Sequence, residues 1–543
     1  MRKTRFVAVL LAGAMLGSLA LTGCGTSKPG TSGGTAEKKA EKKAEKVLIY
    51  ARGADSSSLD PAFVDDGESA KVMNNIFDNL VKYNKGATTV GPSLATSWNT
   101  SEDGKEWTFH LRQGVKFHDG SNFTADDVVF SVQRQMPGNK YYSEDMPYAS
   151  FTFDPNIIDK VEKVDDYTVK FTLKTPYAPF LRNLAMGLAA PIVSKAAYEK
   201  DPKGFGEHPI GTGPFKFVKW DKEQAITLEA FDQYWGGRAI VDKVVFKVTK
   251  VNSSRADELV KGDIDMMDGV DPVDVPRLKA DSNIQLLSAP GMNINYIAFR
   301  TDKGPLANAK VRQALTMAFN KDEAVKALYG DFATSANGPL PPGLTGYDPT
   351  LKPYSYDLDG AKKLLQAAGY SESKKLTFDL YAYTNPRPYN PKADKLAVAF
   401  QADVEKTGMV KVNIVTNDWK GHKDAIQKQG KGDAYLLGWI GDNGDPDNFL
   451  TVHFDSKSFN SGNYMHYKNP QVDTLLEKAA ATLNEKERGP MYSEAQKLIE
   501  ADAPWIFVSW AQDFVAMRKP MSGFYQHPTG SIWLKDVWKP TSK

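Results

Sequence analysis

The chain has a single cysteine, Cys24, among its 543 residues. That count excludes an intrachain disulfide, a cysteine-rich metal site and a CxxC redox pair. An excess of basic charge is missing as well, because residues 47–543 carry 59 basic and 63 acidic side chains, a net charge of −4. Such a surface repels the phosphate backbone, so the sequence disfavours nucleic acid as a partner. Long apolar runs are scarce too. The run at 6–21 has sixteen residues and is interrupted by glycines, so it is too short to span a bilayer.

That N-terminal run has the features of a targeting segment. Arg2, Lys3 and Arg5 precede it, and it ends at the sequence LTGC, which places Cys24 directly after a small residue. LTGC resembles the bacterial lipobox, in which cleavage before the cysteine exposes a thiol that accepts a diacylglycerol. We therefore expect a lipoprotein signal peptide at 1–23 and a lipidated Cys24. Residues 24–46 are too polar to form a core, so they predict a flexible linker to the extracytoplasmic face of the membrane.

The remaining chain is long enough for several domains with large cores, and its composition is that of a globular protein. Alternating apolar residues predict strands at 107–111, 169–173 and 244–248. From about Tyr296 the pattern becomes α/β. Apolar residues at 311, 314, 315, 318 and 319 share one helical face, and Asn320 is placed to begin the next helix.

The segment 376–440 predicts a βαβαβ unit. Strands are expected at 376–381, 410–415 and 434–440, with a helix at 392–406 and a short helical piece near Asp424. The last strand is apolar on both faces, which is typical of a strand inside a parallel sheet. Arg387 follows the first of these strands and Asp442 follows the third. Because ligands bind beyond the carboxyl ends of strands in open α/β sheets, we expect both charges to face one crevice. A ligand with a carboxylate at one end and an ammonium at the other would satisfy both.

Two other chemistries remain open at this point. Paired carboxylates such as Asp442 and Asp445 could serve a secreted hydrolase, although the seven histidines are scattered and neither HExxH nor GxSxG occurs. The acidic run 441–449 could also form a calcium loop, although it lacks the EF-hand spacing and the glutamate at the twelfth position.

Several motifs resemble those of one known family, the extracellular solute-binding proteins of peptide and nickel ABC importers. They are GPSLATSW at 91–98, SEDGK at 101–105, FHLR at 109–112, GVKFHDG at 114–120, ADDVVF at 125–130, PIGTGPF at 209–215, YWG at 234–236 and VRQAL at 311–315. The resemblance as a whole extends over about residues 47–540. Within the family, RPYNP at 387–391 and GWIGDNGDPDNF at 438–449 are most similar to the binding loops of dipeptide-binding members.

The resemblance implies specific roles for residues of these loops. Asp442 would pair with the α-ammonium of a peptide and Arg387 with its carboxylate, while Tyr389, Trp439 and Gly441 would line the site. The serines of the loop at 56–61, Ser56, Ser57 and Ser58, would face the same crevice from the other lobe. No catalytic residue, metal or cofactor is implied.

The resemblance also implies the architecture, a two-lobed periplasmic-binding-protein-like α/β fold of the Venus-flytrap type. Lobe I would span 47–295 and include an extra subdomain at about 86–208. Lobe II would span 296–508, and 509–543 would return to lobe I, so that the chain crosses twice between the lobes. Such a connection suits hinge closure around a ligand.

These expectations converge on a monomeric substrate-binding lipoprotein of an ABC importer. It would capture short peptides, dipeptides above all, and deliver them to a permease of two membrane subunits with cytoplasmic ATPases. The alternative within the family is another solute: a longer oligopeptide, a nickel chelate, a sugar or haem.

Overall fold

The computed structural model describes residues 45–459 and 461–540. The predicted signal peptide, Cys24 and the linker up to residue 44 lie outside the described residues. The strands are Val47–Arg52 (β1), Val81–Tyr83 (β2), Val90–Pro92 (β3), Ala95–Thr100 (β4), Glu106–Leu111 (β5), Ile158–Asp165 (β6), Thr168–Leu173 (β7), Phe215–Asp221 (β8), Ala225–Ala230 (β9), Lys243–Val248 (β10), Met266–Asp268 (β11), Ile284–Pro290 (β12), Asn293–Phe299 (β13), Ala333–Ser335 (β14), Leu376–Tyr383 (β15), Val410–Asn417 (β16), Ala434–Ile440 (β17) and Trp505–Arg518 (β18).

The α-helices lie between and around these strands. They are Gly67–Ile76 (α1), Ala125–Gln133 (α2), Ala149–Thr152 (α3), Phe180–Asn183 (α4), Lys195–Lys200 (α5), Asn252–Lys261 (α6), Val275–Ala280 (α7), Ala309–Ala318 (α8), Lys321–Tyr329 (α9), Leu358–Ala367 (α10), Ala393–Glu405 (α11), Trp419–Lys423 (α12), Asp447–Phe454 (α13), Pro470–Ala481 (α14) and Glu485–Asp502 (α15). A turn of π-helix, Asp424–Lys428, continues α12.

One large mixed sheet organises the molecule, and its two halves are joined by β18. Along its main path the strand order is β16-β15-β17-β13-β18-β11-β1-β10-β9-β8, and β12 and β14 also pair with β18. We call β1 with β8–β12 the N-terminal half-sheet and β13–β17 the C-terminal half-sheet. The early residues of β18 pair with β13 and β14, whereas its later residues pair with β12 and β11. A single long strand is therefore shared by both halves.

A separate four-stranded antiparallel sheet, β4-β5-β7-β6, stands apart from the large one. It has its own apolar cluster, which includes Phe109, Phe171 and Phe180. The aromatic rings of these three side chains meet edge-on with centroids 5.3–6.4 Å apart. We call residues 80–192, which contribute the apolar cluster around this sheet, the small subdomain. The alternating apolar residues of its strands pack into that cluster, which explains why the strands were predictable here.

The predicted local elements are confirmed. The strands expected at 107–111, 169–173 and 244–248 are β5, β7 and β10, and the apolar helical face at 311–319 belongs to α8. Asn320 precedes α9, as its sequence position indicated. The βαβαβ unit is present as β15, α11, β16, α12 and β17, and β15 pairs in parallel with both β16 and β17.

One detail of that unit differs from the expectation. β17 lies beside β15 in parallel but beside β13 in antiparallel orientation, so it is an inner strand of a mixed sheet and not of a purely parallel one. Its first four residues are buried, Ala434 through Leu437. Burial on both faces explains the apolar run, and that burial does not require both neighbours to be parallel.

Candidate ligand-binding site

The carboxyl ends of β15 and β17 lie next to each other at one edge of the C-terminal half-sheet. The two strands are parallel neighbours, with Leu380 paired to Ala434 and Tyr381 to Tyr435. Arg387 lies four residues beyond β15, and Asp442 lies two residues beyond β17. Parallel strands end on the same side of a sheet, so both charged residues are carried at one edge, where α/β proteins bind ligands.

The loop that carries Arg387 is held down by a buried asparagine. The backbone N–H groups of Arg387 and Asn390 each donate to the other residue's carbonyl, at 3.1 and 3.0 Å. Asn390 is fully buried, donates to Asn295 Oδ1 at 3.1 Å and accepts from the hydroxyl of Tyr329 at 2.8 Å. Because Asn295 belongs to β13, these bonds fix the loop against the sheet. The tight turn gives Arg387 a defined place.

Tyr389 connects the two loops through a glycine of β17. The tyrosine ring is 4% exposed and packs on Gly438, where a Cβ atom would come within 2.2 Å of the ring carbon Cδ2. A side chain at position 438 would displace the ring. Gly438 lies four residues before Asp442, so this contact joins the Arg387 loop to the strand that leads to Asp442.

The guanidinium of Arg387 has an aromatic neighbour but no carboxylate. Its Cζ lies 4.3 Å from the ring centroid of Trp419, and its Nε is buried without a hydrogen-bond acceptor. Among the described residues no Asp or Glu forms an ion pair with it. Stacking on an indole stabilises a guanidinium and leaves its N–H fork directed elsewhere. The arrangement can accept a carboxylate in bidentate geometry.

Asp442 lacks a cationic neighbour in the same way. Its Oδ1 accepts a hydrogen bond from the hydroxyl of Tyr148 at 3.0 Å, and its backbone N–H donates to Asn448 Oδ1 at 2.9 Å. Within the described part of the chain no Lys or Arg pairs with it. Burial raises the pKa of Asp442 to about 6, against the opposing hydrogen bonds from Tyr148 and Asn448. A carboxylate held in this state gains stability from an incoming ammonium.

Trp439 and Gly441 fix the strand end beside Asp442. The indole Nε1 of Trp439 donates to Asn448 Oδ1 at 3.1 Å, and its ring meets that of His453 edge-on at 4.8 Å. Gly441 donates its N–H to Met292 O at 2.8 Å, and a Cβ there would lie 2.4 Å from the ring of Phe449. Trp439 is half-buried and can contact a ligand. The absence of a side chain at Gly441 lets its backbone lie close to the ring of Phe449.

The three serines of the N-terminal half lie in a different setting. Ser56 is buried and accepts from Arg52 at 2.9 Å, while the hydroxyl of Ser57 donates to Asp66 at 2.7 Å. Ser58 accepts from the backbone N–H of Asp60 at 3.1 Å. Among the described residues, the hydrogen bonds of these serines reach the end of β1, the rest of this loop and the start of α1. The structure thus places Arg387, Tyr389, Trp439, Gly441 and Asp442 at one edge of the C-terminal half-sheet. Within the described part of the chain, no hydrogen bond joins the three serines to any of them.

Other residues of the site were missed by the sequence reasoning. Tyr148 comes from the small subdomain, 294 positions before Asp442, and no local pattern relates the two. Trp419 begins α12, and Asn390 was part of the quoted RPYNP loop without a role of its own. Asn448 lies inside the GWIGDNGDPDNF run and binds both Trp439 and Asp442. Asn390 and Asn448 could have been predicted, because each is an amide side chain within one of the two loops assigned to binding.

The paired-carboxylate chemistry does not fit Asp445. This side chain is fully buried and is bound by two guanidinium groups, those of Arg488 and Arg182. Burial alone would raise the pKa of Asp445, but the two arginines hold it below its usual value. It has no free oxygen for an acid–base step. In the described ranges no group of three or more His, Cys, Asp or Glu side chains is arranged to hold a metal ion.

Comparison with known proteins gives the family. The sequence profile of bacterial extracellular solute-binding proteins, family 5 middle, matches residues 89–461. The Escherichia coli dipeptide-binding protein is 37% identical over 509 residues, covering 91% of this chain and 94% of that protein. Heme-binding protein A of Haemophilus influenzae is 36% identical, with 89% and 90% covered.

Solved structures agree. HbpA2 from Haemophilus parasuis superposes with a TM-score of 0.84 at 34% identity, covering 91% of this chain and 99% of that one. The periplasmic binding protein DppA from Helicobacter pylori, in complex with the peptide STSA, gives a TM-score of 0.76 at 36% identity, with 91% and 98% covered. This chain belongs to the family 5 solute-binding proteins.

Membership in family 5 settles several expectations. The two-lobed α/β fold of periplasmic binding proteins is confirmed, and the protein is an extracytoplasmic solute-binding protein of the ABC importer class. Proteins of this family bind solutes and are not enzymes, so the hydrolase alternative is excluded. Among the residues that the structure describes, none of the helices combines the length and apolar character that a membrane span needs.

Proposed function

We propose that the protein is the substrate-binding lipoprotein of an ABC importer and that it captures short peptides, dipeptides above all, between its two lobes. Asp442 binds the α-ammonium and Arg387 the terminal carboxylate, with Tyr389, Trp439 and the backbone at Gly441 lining the site. Ser56, Ser57 and Ser58 belong to the facing lobe. The proposal draws on peptide-binding relatives in E. coli and H. pylori.

One observation carries the proposal. Arg387 and Asp442 follow neighbouring parallel strands, and neither has an oppositely charged group among the described side chains. Both side chains are partly buried, and withdrawing an unmatched charge from water is costly unless an opposite charge completes it. A peptide zwitterion does so at both ends at once.

The same geometry predicts that the protein selects peptides by their length. The two charged groups are fixed on one rigid sheet, so the separation between the ligand's ammonium and carboxylate has to match theirs. Side chains of the ligand are weakly specified where water fills the space around them. We therefore expect strict preference for peptide length and broad tolerance of sequence.

The remaining parts of the proposal concern location and delivery. Cys24 carries the lipid, residues 24–46 tether the binding domain, and the monomer presents its ligand to a permease of two membrane subunits driven by cytoplasmic ATPases. The lobes follow the expected ranges, 47–295 with the extra subdomain at about 86–208, then 296–508, with a return at 509–543. The crossing of β12–β13 and β18 between the half-sheets is consistent with these limits.

The test begins with the ligand that accompanies the protein. Mass spectrometry of the purified protein identifies it, and calorimetric titration then compares a free amino acid, a dipeptide, a tripeptide and a tetrapeptide. N-acetylated and C-amidated dipeptides each remove one charged end. We expect the unmodified dipeptide to bind tightest and each blocked form to lose most of its affinity.

Competing solutes are included in the same titration. Haemin is among them because Heme-binding protein A is 36% identical to this chain. If haemin, a nickel chelate, a sugar or a longer peptide binds while dipeptides do not, the dipeptide proposal is wrong. Equal affinity for blocked and unblocked dipeptides would remove the two-charge recognition.

A further inference from the structure

The loop that carries Asp442 makes a second set of contacts, with the small subdomain. The four polar pairs join residues 442–447 to residues 148–183. They are Tyr148 to Asp442 at 3.0 Å, Asn183 to Asn443 at 2.8 Å, Arg182 to Asp445 at 2.7 Å and Tyr177 to Asp447 at 3.3 Å. One six-residue loop is therefore docked along its length on a distant segment of the chain.

The strongest of these contacts is a buried ion pair. Asp445 receives two hydrogen bonds from Arg488 of α15, at 2.9 and 2.8 Å, and a third from Arg182. Arg182 also donates to Glu485 at 2.7 Å and, through Nε, to the carbonyl of Thr88 at 3.2 Å. Charge-assisted bonds of this kind are short and directional. The bond to Thr88 holds the guanidinium of Arg182 on the subdomain, so Arg182 can fix the position of Asp445.

The loop 442–447 and the small subdomain can separate without leaving a buried carboxylate unpaired. If the subdomain moves away, Asp445 keeps the bidentate bonds of Arg488 and is not left as an unpaired buried charge. Glu485 is 46% exposed and keeps its contacts with Arg488 and Thr345. Breaking a buried ion pair is most costly when one charge is stranded, and here none of the carboxylates is. The buried apolar residues of the subdomain and those beside this loop belong to different clusters, so no shared apolar core of described residues joins them.

We propose that Arg182 is a positioning residue for ligand binding: by docking on Asp445 it fixes the loop 442–447 so that Asp442 is aligned for the positively charged end of the ligand. The inference rests on the proposed function for the role of Asp442. The alignment itself is a property of the protein and can be measured without a ligand. Arg182 touches no ligand in this scheme and acts through Asp445.

The first experiment measures the loop without peptide. Hydrogen exchange of the segment 441–449 is compared in the wild type, R182Q and the control R112Q. Arg112 belongs to the same subdomain, where it donates to the carbonyl of Ser93 and stacks on Trp235 at 4.3 Å. We expect faster exchange in the loop of R182Q, and wild-type exchange in R112Q and in β15 of both variants.

The second experiment measures peptide binding by stopped flow and calorimetry with the dipeptide Ala-Leu. We expect R182Q to weaken binding about 10-fold, chiefly through faster dissociation, and R182K to recover part of the loss. The R182Q and D442N effects should be non-additive, because Arg182 acts through the loop that carries Asp442. A residue with a merely structural role would give additive losses.

The outcomes separate the two proposals. Unchanged loop exchange in R182Q overturns the positioning role, as does faster exchange combined with unchanged affinity or an additive cycle. Failure of the wild type to bind any peptide overturns the proposed function, and the exchange experiment still decides whether Arg182 orders the loop. If R182Q does not fold, R182K and Y177F, which removes the bond to Asp447, are measured in its place against the same criteria.

Discussion

Asp442 and Asp445 are three residues apart in one loop, and their surroundings act on them in opposite ways. Asp445 has two guanidinium groups and a pKa below its usual value. Among the described residues, the partners of Asp442 are a hydroxyl and an amide, and its pKa is raised to about 6. The difference follows from where the arginines lie, because Asp445, whose pKa is lowered, is the more buried of the two. It divides the loop into a structural anchor and an unmatched charge available to a ligand.

The first prediction concerns the two charged ends. Arg387→Ala and Asp442→Ala should each weaken dipeptide binding by about 2–5 kcal/mol, because each leaves one charge of the bound peptide unpaired. Arg387→Lys should restore little, since an ammonium lacks the fork and the stacking on Trp419. Calorimetry measures these affinities.

The matched control for the arginine is Arg277→Gln in α7, where the side chain pairs with Asp257 and Asp274 at the surface. It should leave binding unchanged. Wild-type affinity in either alanine variant would remove that residue from the site.

The second prediction is that peptide affinity and the stability of the unliganded protein change with pH in opposite directions. Below pH 6 the carboxyl of Asp442 takes up a proton, so affinity for a dipeptide with a free ammonium should fall as the pH drops from 7 to 5. The pKa of His453, beside Trp439, is lowered to about 4 by burial and does not titrate in this window. Titrations at several pH values should show a slope in the wild type and a smaller one in D442N, where Asp447 of the same loop, its pKa raised to about 6 by burial, still titrates.

The stability of the unliganded protein should run the other way. Because the folded pKa of Asp442 lies above the unfolded value, the charged side chain costs stability above pH 6, and the cost disappears as the pH falls towards 4. D442N should therefore raise the free energy of unfolding at pH 7 by about 1–2 kcal/mol and leave it unchanged near pH 4. Urea denaturation at both pH values checks this, and equal effects at pH 4 and 7 would contradict it.

At the scale of elements, β17 and the loop after β15 form one unit through Gly438. Gly438→Ala places a methyl group where the ring of Tyr389 lies, so the Arg387 loop has to shift. We expect a destabilisation of about 1–3 kcal/mol together with weaker peptide binding. Denaturation and calorimetry on the same preparation measure both.

Gly489→Ala is the matched control, because it lies in α15 and its new Cβ would meet nothing closer than 3.7 Å. It should stabilise the protein by about 0.5–1 kcal/mol through helix propensity and leave binding unaltered. A G438A variant with normal stability and affinity would show that the ring of Tyr389 does not set the position of Arg387.

Elements of this kind were predictable where periodicity decides the structure. β5, β7, β10, α8 and the βαβαβ unit follow from apolar spacing, and the edge that carries Arg387 and Asp442 follows from strand direction. What could not be predicted are contacts between distant segments. Tyr148 meets Asp442, and Arg182 meets Asp445, through tertiary packing that leaves no trace in local spacing.

At the scale of the whole molecule, both chain crossings lie side by side. β12 and β13 run antiparallel to β18, and between them Gly291 and Asn293 hydrogen-bond to Ala511. The side chain of Asn293 accepts from the N–H of Ala511 at 2.8 Å and donates to its carbonyl at 3.0 Å. An amide side chain thus takes the place of a backbone partner where the ladder changes from one half-sheet to the other.

Asn293→Ala should therefore be costly. It leaves the buried N–H of Ala511 without an acceptor, and we expect a loss of about 1–3 kcal/mol in the free energy of unfolding. Asn283→Ala, at an exposed turn residue, should change stability by less than about 0.5 kcal/mol. Urea denaturation of the two variants measures the difference, and equal values would show that the Asn293 bonds contribute nothing at the crossing.

The strand β18 gives the protein an elastic property. Since it continues without a break through both half-sheets, any rotation of one half against the other has to twist this ribbon and its neighbours β12 and β13. Paired strands have a preferred twist, whereas a loose linker has none. We therefore expect the crossing strands to oppose rotation of the two halves and to favour one angle between them.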